Sequence, residues 1–105
     1  MSLYPQKNQN PISMKRAHIW VKGRVQGVGF RAHVEFYAGQ IGVTGWVRNV
    51  GYDTVEAVAE GTPAQVDQFI EMVKQGPRSS RVDEVRVEDE SATGEFVGFG
   101  VKRSS

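Results

Sequence analysis

The sequence predicts an α+β domain in which two helices pack on one face of a mainly antiparallel sheet, a two-layer α/β sandwich. Three observations support this prediction. Two segments repeat apolar residues at helical spacing, several others alternate apolar and polar residues as half-buried strands do, and the segments follow one another in the order βαββαβ with one more strand at the end. The chain of 105 residues has the length of one domain.

The composition argues against several classes of protein and site. The chain has no cysteine, which excludes disulfides, thiolate nucleophiles and thiolate zinc sites. Thirteen Lys and Arg against twelve Asp and Glu give a net charge of +1, too balanced for binding nucleic acid or an anionic membrane through clustered cations. No apolar run approaches the roughly 18 residues of a membrane span, and the first residues are too polar for a signal peptide. We therefore expect a cytoplasmic protein that binds neither nucleic acid nor membrane.

The first half of the chain predicts an arm, a strand, a helix and a second strand. Residues 1–15 are rich in Asn, Gln, Ser and Pro without an apolar period, and we expect a flexible N-terminal arm. Apolar and polar residues alternate over residues 17–25 and again over residues 43–49, which predicts a strand on each side of the helix. The helix follows the turn at residues 26–29. Its predicted buried stripe consists of Phe30, Val34, Tyr37, Ala38 and Ile41.

The second half predicts a strand, a helix and two further strands. Residues 51–53 form a predicted hairpin turn into a third strand over residues 55–59. Thr62 and Gln65 match a capping box around Pro63, so the second helix begins there. Less regular apolar positions predict the last two strands: Val82, Val85 and Val87 for the fourth, and Phe96, Phe99 and Val101 for the fifth. This order is the ferredoxin-like βαββαβ arrangement with an additional C-terminal strand.

The predicted topology brings two distant segments to one edge of the sheet. Strands one and two run parallel, with strand three antiparallel between them, so their carboxyl ends lie at the same edge. Two strand spacings separate these ends, roughly 10 Å. A long arginine from the turn after strand one could therefore meet the side chain of Asn49 at the end of strand two. Ligands of open α/β sheets usually bind at such an edge.

The turn between the first strand and the first helix has the features of an anion site. Its backbone N–H groups lie at a helix N-terminus, where they lack intrahelical partners, and the helix dipole adds positive potential. Glycines at 27 and 29 let these groups curve around an anion. Arg31 in the first helical turn costs the helix about 0.3–1 kcal/mol, which favours a bound anion, and a guanidinium matches phosphate in a bidentate manner. The alternative is an ordinary glycine-rich turn followed by a solvated arginine.

Two motifs in these segments resemble those of the acylphosphatase family. The first is Gly23-Arg24-Val25-Gln26-Gly27-Val28-Gly29-Phe30-Arg31, and the second is Gly45-Trp46-Val47-Arg48-Asn49, continuing to Val55 and Gly61. The resemblance covers residues 16–103, which we take as an acylphosphatase-like domain. One position departs from the pattern, because Asp53 stands where the second motif normally has glycine. Asp tolerates left-handed turn conformations, so we expect a change in the turn and not in the chemistry.

The resemblance implies an enzyme that hydrolyses acyl phosphates to a carboxylate and inorganic phosphate. It places Arg31 and Asn49 in the catalytic positions, with Asn49 orienting the attacking water. The backbone of five loop residues would bind the phosphoryl group: Gln26, Gly27, Val28, Gly29 and Phe30. We expect a small-molecule acyl phosphate as substrate, a site that also accepts inorganic phosphate or sulfate, no metal or cofactor, and a monomer. The leaving carboxylate has a conjugate acid with a pKa of about 4, so its departure needs no general acid.

Other residue patterns leave two alternative interpretations. His18, His33 and Arg48 are predicted as exposed side chains without a chemical role. A non-catalytic ferredoxin-like module that binds RNA or a small ligand is the main alternative, since Trp20 and Trp46 alternate with cations on the first two strands. The acidic fourth strand argues against RNA. The second alternative is a carbamoyl-phosphate-handling unit of the kind found in larger maturation enzymes related to acylphosphatases.

Overall fold

The computed structural model of the protein describes residues 13–105, so most of the predicted N-terminal arm lies outside the described residues. Seven elements follow in the predicted order: β1 (Lys15–Arg24), α1 (Phe30–Ile41), β2 (Thr44–Val50), β3 (Thr54–Gly61), α2 (Pro63–Gln75), β4 (Arg81–Glu90) and β5 (Phe99–Val101). The five strands form one sheet in the order β4-β1-β3-β2-β5. The predicted α+β sandwich is confirmed. Among the described residues, neither helix is both long and apolar enough to cross a membrane.

The position of β3 determines which strand ends lie together at one edge of the sheet. Thr54, at the start of β3, pairs with Lys22 near the end of β1 and with Val50 at the end of β2, and both pairings are antiparallel. The strands β1 and β2 therefore run parallel and end at the same edge of the sheet, as the sequence predicts. The short strand β5 pairs with β2 in parallel, with Phe99 opposite Gly45.

Both helices cover one face of the sheet, where the core lies. The buried face of α1 consists of Phe30, Val34 and Ala38, each at most 1% exposed. The prediction that Tyr37 belongs to this face is wrong, because its side chain is 42% exposed. The centre of the buried stripe lies at Val34, so Tyr37 falls at its edge and packs against Phe36 on the surface, with ring centroids 5.1 Å apart.

A register shift explains the irregular pattern of β4. The pairing of β1 with β4 shifts between Lys22 and Gly23, so that Val85 lies opposite Val21 while Val82 lies opposite Gly23. Val82 and Val85 therefore face the same side of the sheet despite their odd spacing, and both pack against the core.

The connection from β4 to β5 crosses the outer face of the sheet, the face opposite the helices. The predicted fifth strand is shorter than expected, because Phe96 lies in this crossing and not in β5, with its ring centroid 5.0 Å from the Arg16 guanidinium carbon. The carboxylate of Glu60, on β3, holds the crossing in place. It accepts hydrogen bonds from the backbone N–H groups of Thr93 at 2.9 Å and Gly94 at 3.0 Å, and from Arg16 at 3.3 Å.

The outer face also holds a network of charges that the sequence reasoning missed. Predicted as exposed, His18 is instead half-buried, with its ring nitrogens 2.6 Å from Glu56 and 2.8 Å from Glu90. Arg48 donates to the same Glu56 at 2.7 Å, so its prediction as a solvated residue is also wrong. Burial works to raise the pKa of Glu56, but the bonds and charges of His18 and Arg48 outweigh it and hold that pKa below its ordinary value.

The tryptophans of this face are engaged in intramolecular packing. The ring of Trp20 stacks on His18 at 3.9 Å between centroids and lies 4.1 Å from the guanidinium carbon of Arg86. The ring of Trp46 lies 4.3 Å from the ammonium of Lys102. Cations of the same chain therefore contact both indole rings.

Replacing Glu60 by Gln is expected to lower the free energy of unfolding at pH 7 by about 2–4 kcal/mol. The buried carboxylate loses its charge, and one of its two acceptor oxygens becomes an NH2 group that cannot accept from Thr93, Gly94 or Arg16. Burial works to raise the pKa of Glu60, but the hydrogen bonds from Thr93 and Gly94 outweigh it and lower that pKa below its ordinary value of 4.5. The stabilisation is therefore present above about pH 4.5 and is lost as the pH falls through the folded value.

Urea denaturation of wild type and of Glu60→Gln between pH 7 and pH 3 measures the difference in their free energies of unfolding. We expect the gap between wild type and Glu60→Gln to narrow on acidification. The matched control is Glu95→Gln, an exposed carboxylate 3.1 Å from the same Arg16, which should cost less. A gap that stayed constant down to pH 3 would contradict the role of the Glu60 charge.

Candidate active site

The segment between β1 and α1 forms a loop with two left-handed glycines. Gly27 has a φ of 72° and Gly29 a φ of 78°, and a Cβ at either position would meet no described atom within 4 Å. The backbone conformation is therefore what favours glycine at these two positions. Gly29 is the N-cap of α1 and provides no side-chain cap, and the first turn of the helix contains no acidic residue. The free N–H groups of this helix end favour an anion.

The loop is anchored to the body of the protein on two sides. Val25 precedes it and Phe30 follows it, and both side chains are 1% exposed in the core. The hydroxyl of Ser79, between α2 and β4, donates to the carbonyl of Val28 at 3.0 Å, and the Val28 side chain packs against the core. The loop backbone is thus held in one place before any ligand binds.

Asn49 extends from β2 towards the helix side of the sheet, in the same alternation as the buried Gly45 and Val47. Its side chain is only 9% exposed, and its Oδ1 atom is buried without a hydrogen-bond partner among the described residues. Its backbone carbonyl accepts a bond from the N–H of Ser105 at 2.9 Å. A buried amide oxygen of this kind is costly unless something else supplies a donor.

One cavity of about 310 Å³ brings the two predicted catalytic side chains together. Of the predicted site residues, Gly27, Gly29, Phe30, Arg31 and Asn49 line it. The other two predicted residues lie beside it: Gln26 lines a neighbouring depression of about 530 Å³, and Val28 points into the core. The volume is at the lower end of the range for small-molecule sites, roughly 300–1,000 Å³.

Four further lining residues were not predicted as site residues; Val25 and Ala32 adjoin the predicted ones in the chain, whereas Glu35 and Val101 do not. Glu35 lies one helical turn after Arg31, so the i,i+4 spacing on α1 could have identified it. Val101 enters the cavity from β5, and only the register of that strand places it there. The cavity therefore combines the charge of Arg31 and the positive end of α1 with one carboxylate.

His33 lies away from this cavity. It lines a separate cavity between the two helices, together with Tyr37 and Met72. Burial lowers the pKa of His33, so its neutral form is favoured near pH 7. In residues 13–105, no three or more His, Cys, Asp or Glu side chains are grouped so that they could hold a metal ion.

Asp53 connects the hairpin turn to the end of β1. Its backbone carbonyl accepts from the N–H of Gly23 at 3.0 Å, and its carboxylate accepts from the hydroxyl of Thr54 at 2.9 Å. The ammonium of Lys22 lies 3.9 Å from the carboxylate. The departure from the motif at this position is therefore accommodated within the turn.

Sequence comparisons with known proteins identify one family. The family model described as acylphosphatase matches residues 17–101. The chain is 46% identical over 90 residues to an acylphosphatase of Syntrophobacter fumaroxidans, covering 86% of this chain and 93% of that protein. An acylphosphatase of Roseiflexus sp. is also 46% identical over 90 residues, covering 86% and 97%. The crystal structure of acylphosphatase from Bacillus subtilis superposes with a TM-score of 0.80 at 35% identity, covering 84% of this chain and 98% of that one.

Proposed function

The chain belongs to the acylphosphatase family, and from that premise we propose that Arg31 and the backbone of residues 26–30 bind the phosphoryl group while Asn49 orients the attacking water. The activity is the hydrolysis of the carboxyl–phosphate bond of an acyl phosphate, which yields a carboxylate and inorganic phosphate. Water provides the oxygen that forms the new bond to phosphorus, and the carboxylate departs with the electron pair of the broken bond.

The chemistry makes only three demands on the protein. The leaving carboxylate is a weak base, because its conjugate acid has a pKa of about 4, and it departs without protonation. The phosphoryl group must be held, its negative charge must be stabilised, and a water must stand in line with the departing oxygen. The proton of the attacking water can pass to a phosphoryl oxygen of the substrate.

Arg31 and the loop hold the phosphoryl group and stabilise its negative charge. The guanidinium can bind two phosphoryl oxygens at once, and it lies in the first turn of α1, where the N-terminal N–H groups and the helix dipole attract the same anion. The left-handed conformations of Gly27 and Gly29 support a concave arrangement of those N–H groups.

Asn49 positions the attacking water. The observation that carries this proposal is its Oδ1 atom, which has no hydrogen-bond partner among the described residues. This oxygen is buried without a donor among the described residues, and its side chain lines the same cavity as Arg31. A water bound there would supply the missing donor. With one O–H engaged by the amide, the water can direct a lone pair towards phosphorus.

The proposal includes a small-molecule acyl phosphate as substrate, with inorganic phosphate or sulfate competing for the same cavity. It also includes a reaction that needs no metal and a monomeric enzyme. The cytoplasmic location stays a prediction of the sequence.

Release of phosphate from benzoyl phosphate tests the proposed activity. We expect turnover in the presence of EDTA at the same rate as in its absence, and competitive inhibition by inorganic phosphate. A phosphate monoester such as p-nitrophenyl phosphate is the control, and it should be hydrolysed far more slowly because its leaving group is a poorer one. Equal rates on both substrates, or loss of activity with EDTA, would refute the proposal in this form.

A further inference from the structure

The side chain of Gln26 joins the two halves of the site. Its amide nitrogen Nε2 lies 2.9 Å from the carbonyl oxygen of Thr54, 3.2 Å from that of Gly51 and 3.3 Å from that of Val50. All three acceptors belong to the β2–β3 hairpin, and Gln26 itself is half-buried. The backbone of Gln26 begins the loop that precedes α1. One residue of the first motif therefore binds the hairpin that the second motif enters.

We infer that Gln26 is a positioning residue, whose side chain holds Asn49 in register with the phosphoryl group; this inference rests on the proposed function. Val50, one of its three acceptors, is bonded directly to Asn49 in the chain. A shift of the hairpin relative to the loop would move the Asn49 amide away from the line of attack. It would leave Arg31 and the loop N–H groups unchanged relative to one another.

The chemistry of the contact favours glutamine. A side-chain amide offers two N–H donors on one nitrogen, which suits a cluster of carbonyl oxygens. A glutamate at this position would set a carboxylate against the same three oxygens, and a methionine of similar length would offer no donor. Neither replacement can make the contact, although both fill similar space.

A positioning role for Gln26 predicts that its replacement lowers turnover and leaves phosphate binding almost unchanged. Gln26→Met is expected to lower kcat by about tenfold or more, since small misplacements of a reacting group are costly. The inhibition constant of inorganic phosphate should change by less than about twofold, because the ligands of the phosphoryl group are intact. If Gln26→Met weakened phosphate binding by the same factor as it lowered kcat, the result would show only a distorted loop. That outcome would overturn the inference.

A double-mutant cycle with Asn49 gives the sharper test. In the Asn49→Ala background there is no amide left to position, so adding Gln26→Met should change kcat by less than about twofold. Full additivity of the two losses would overturn the positioning role while leaving the proposed function of Asn49 in place. An Asn49→Ala variant with the kcat of wild type would instead refute the proposed function itself.

Gln65→Met is the matched control. Gln65 is also a half-buried glutamine whose Nε2 donates to a backbone carbonyl of another element, that of Ile41 at 3.2 Å, and its Oε1 accepts from the N–H of Thr62 in the capping box of α2. Its replacement should reduce stability while kcat per folded molecule stays within about twofold of wild type.

If Gln26→Met does not fold, Gln26→Asn replaces it in the same measurements. Asparagine keeps the amide but is one methylene too short to reach the hairpin, and we expect the same separation of kcat from the phosphate inhibition constant. Wild-type kcat in a folded Gln26→Asn protein would overturn the inference.

Discussion

Arg31→Lys is expected to lower kcat/KM for benzoyl phosphate by roughly a thousandfold, the range for removing a charged group that stabilises a transferring phosphoryl group. A lysine keeps the positive charge at the start of α1, but its ammonium is a point charge on a different stem. It cannot bind two phosphoryl oxygens in the plane of a guanidinium. Inhibition by inorganic phosphate should weaken as well, because the same contacts hold the free anion.

The fold should tolerate this change. Arg31 is half-exposed, and lysine presents the same charge to the helix end, so we expect the free energy of unfolding to stay within about 0.5 kcal/mol of wild type. The matched control is Arg86→Lys on the outer face of β4, which should leave kcat/KM unchanged. If Arg31→Lys retained kcat/KM within about threefold of wild type, the phosphoryl group would have to bind elsewhere.

Asn49→Ala is expected to lower kcat by about a hundredfold or more while the inhibition constant of inorganic phosphate stays within about twofold. The amide acts on the water and not on the phosphoryl group, so its loss is felt in turnover alone. Steady-state kinetics with benzoyl phosphate, with inorganic phosphate as the competitor, separate the two quantities.

The stability of the Asn49→Ala protein offers an independent check. Removing a buried amide whose oxygen has no partner among the described residues relieves an unfavourable burial, so the variant should lose less than about 1 kcal/mol or gain stability. Thr44→Ala, on the same strand but on the outer face, is the control for kcat. A parallel loss of phosphate binding and kcat in Asn49→Ala would assign Asn49 to binding the phosphoryl group.

The elements that depend on local pattern could be predicted from the sequence. The capping box of Thr62 and Gln65 starts α2 as expected, and the alternation around Val47 identifies β2. The meeting of Arg31 and Asn49 in one cavity followed from strand order alone, since parallel strands end at one edge. These predictions needed no knowledge of side-chain packing.

The residues that the sequence reasoning misplaced depend on contacts between distant segments. His18 is buried by Glu56, from β3, and by Glu90, from β4, and nothing in the alternation of β1 reveals either carboxylate. Val101 reaches the cavity only because β5 pairs with β2 in one register. The contacts of Gln26 are equally hidden from the sequence pattern, because its hydrogen-bond partners lie 24 to 28 residues away in the chain.

The sheet order has a kinetic consequence. Each interior strand pairs with at least one strand that is remote in sequence. The lining of the cavity includes Arg31 from the first third of the chain and Val101 from its last residues. Contacts between segments this far apart in the chain form slowly. Assembly should therefore be limited by the docking of distant strands and not by the formation of either helix. The recovery of enzymatic turnover after dilution from denaturant therefore reports the completion of the whole sheet.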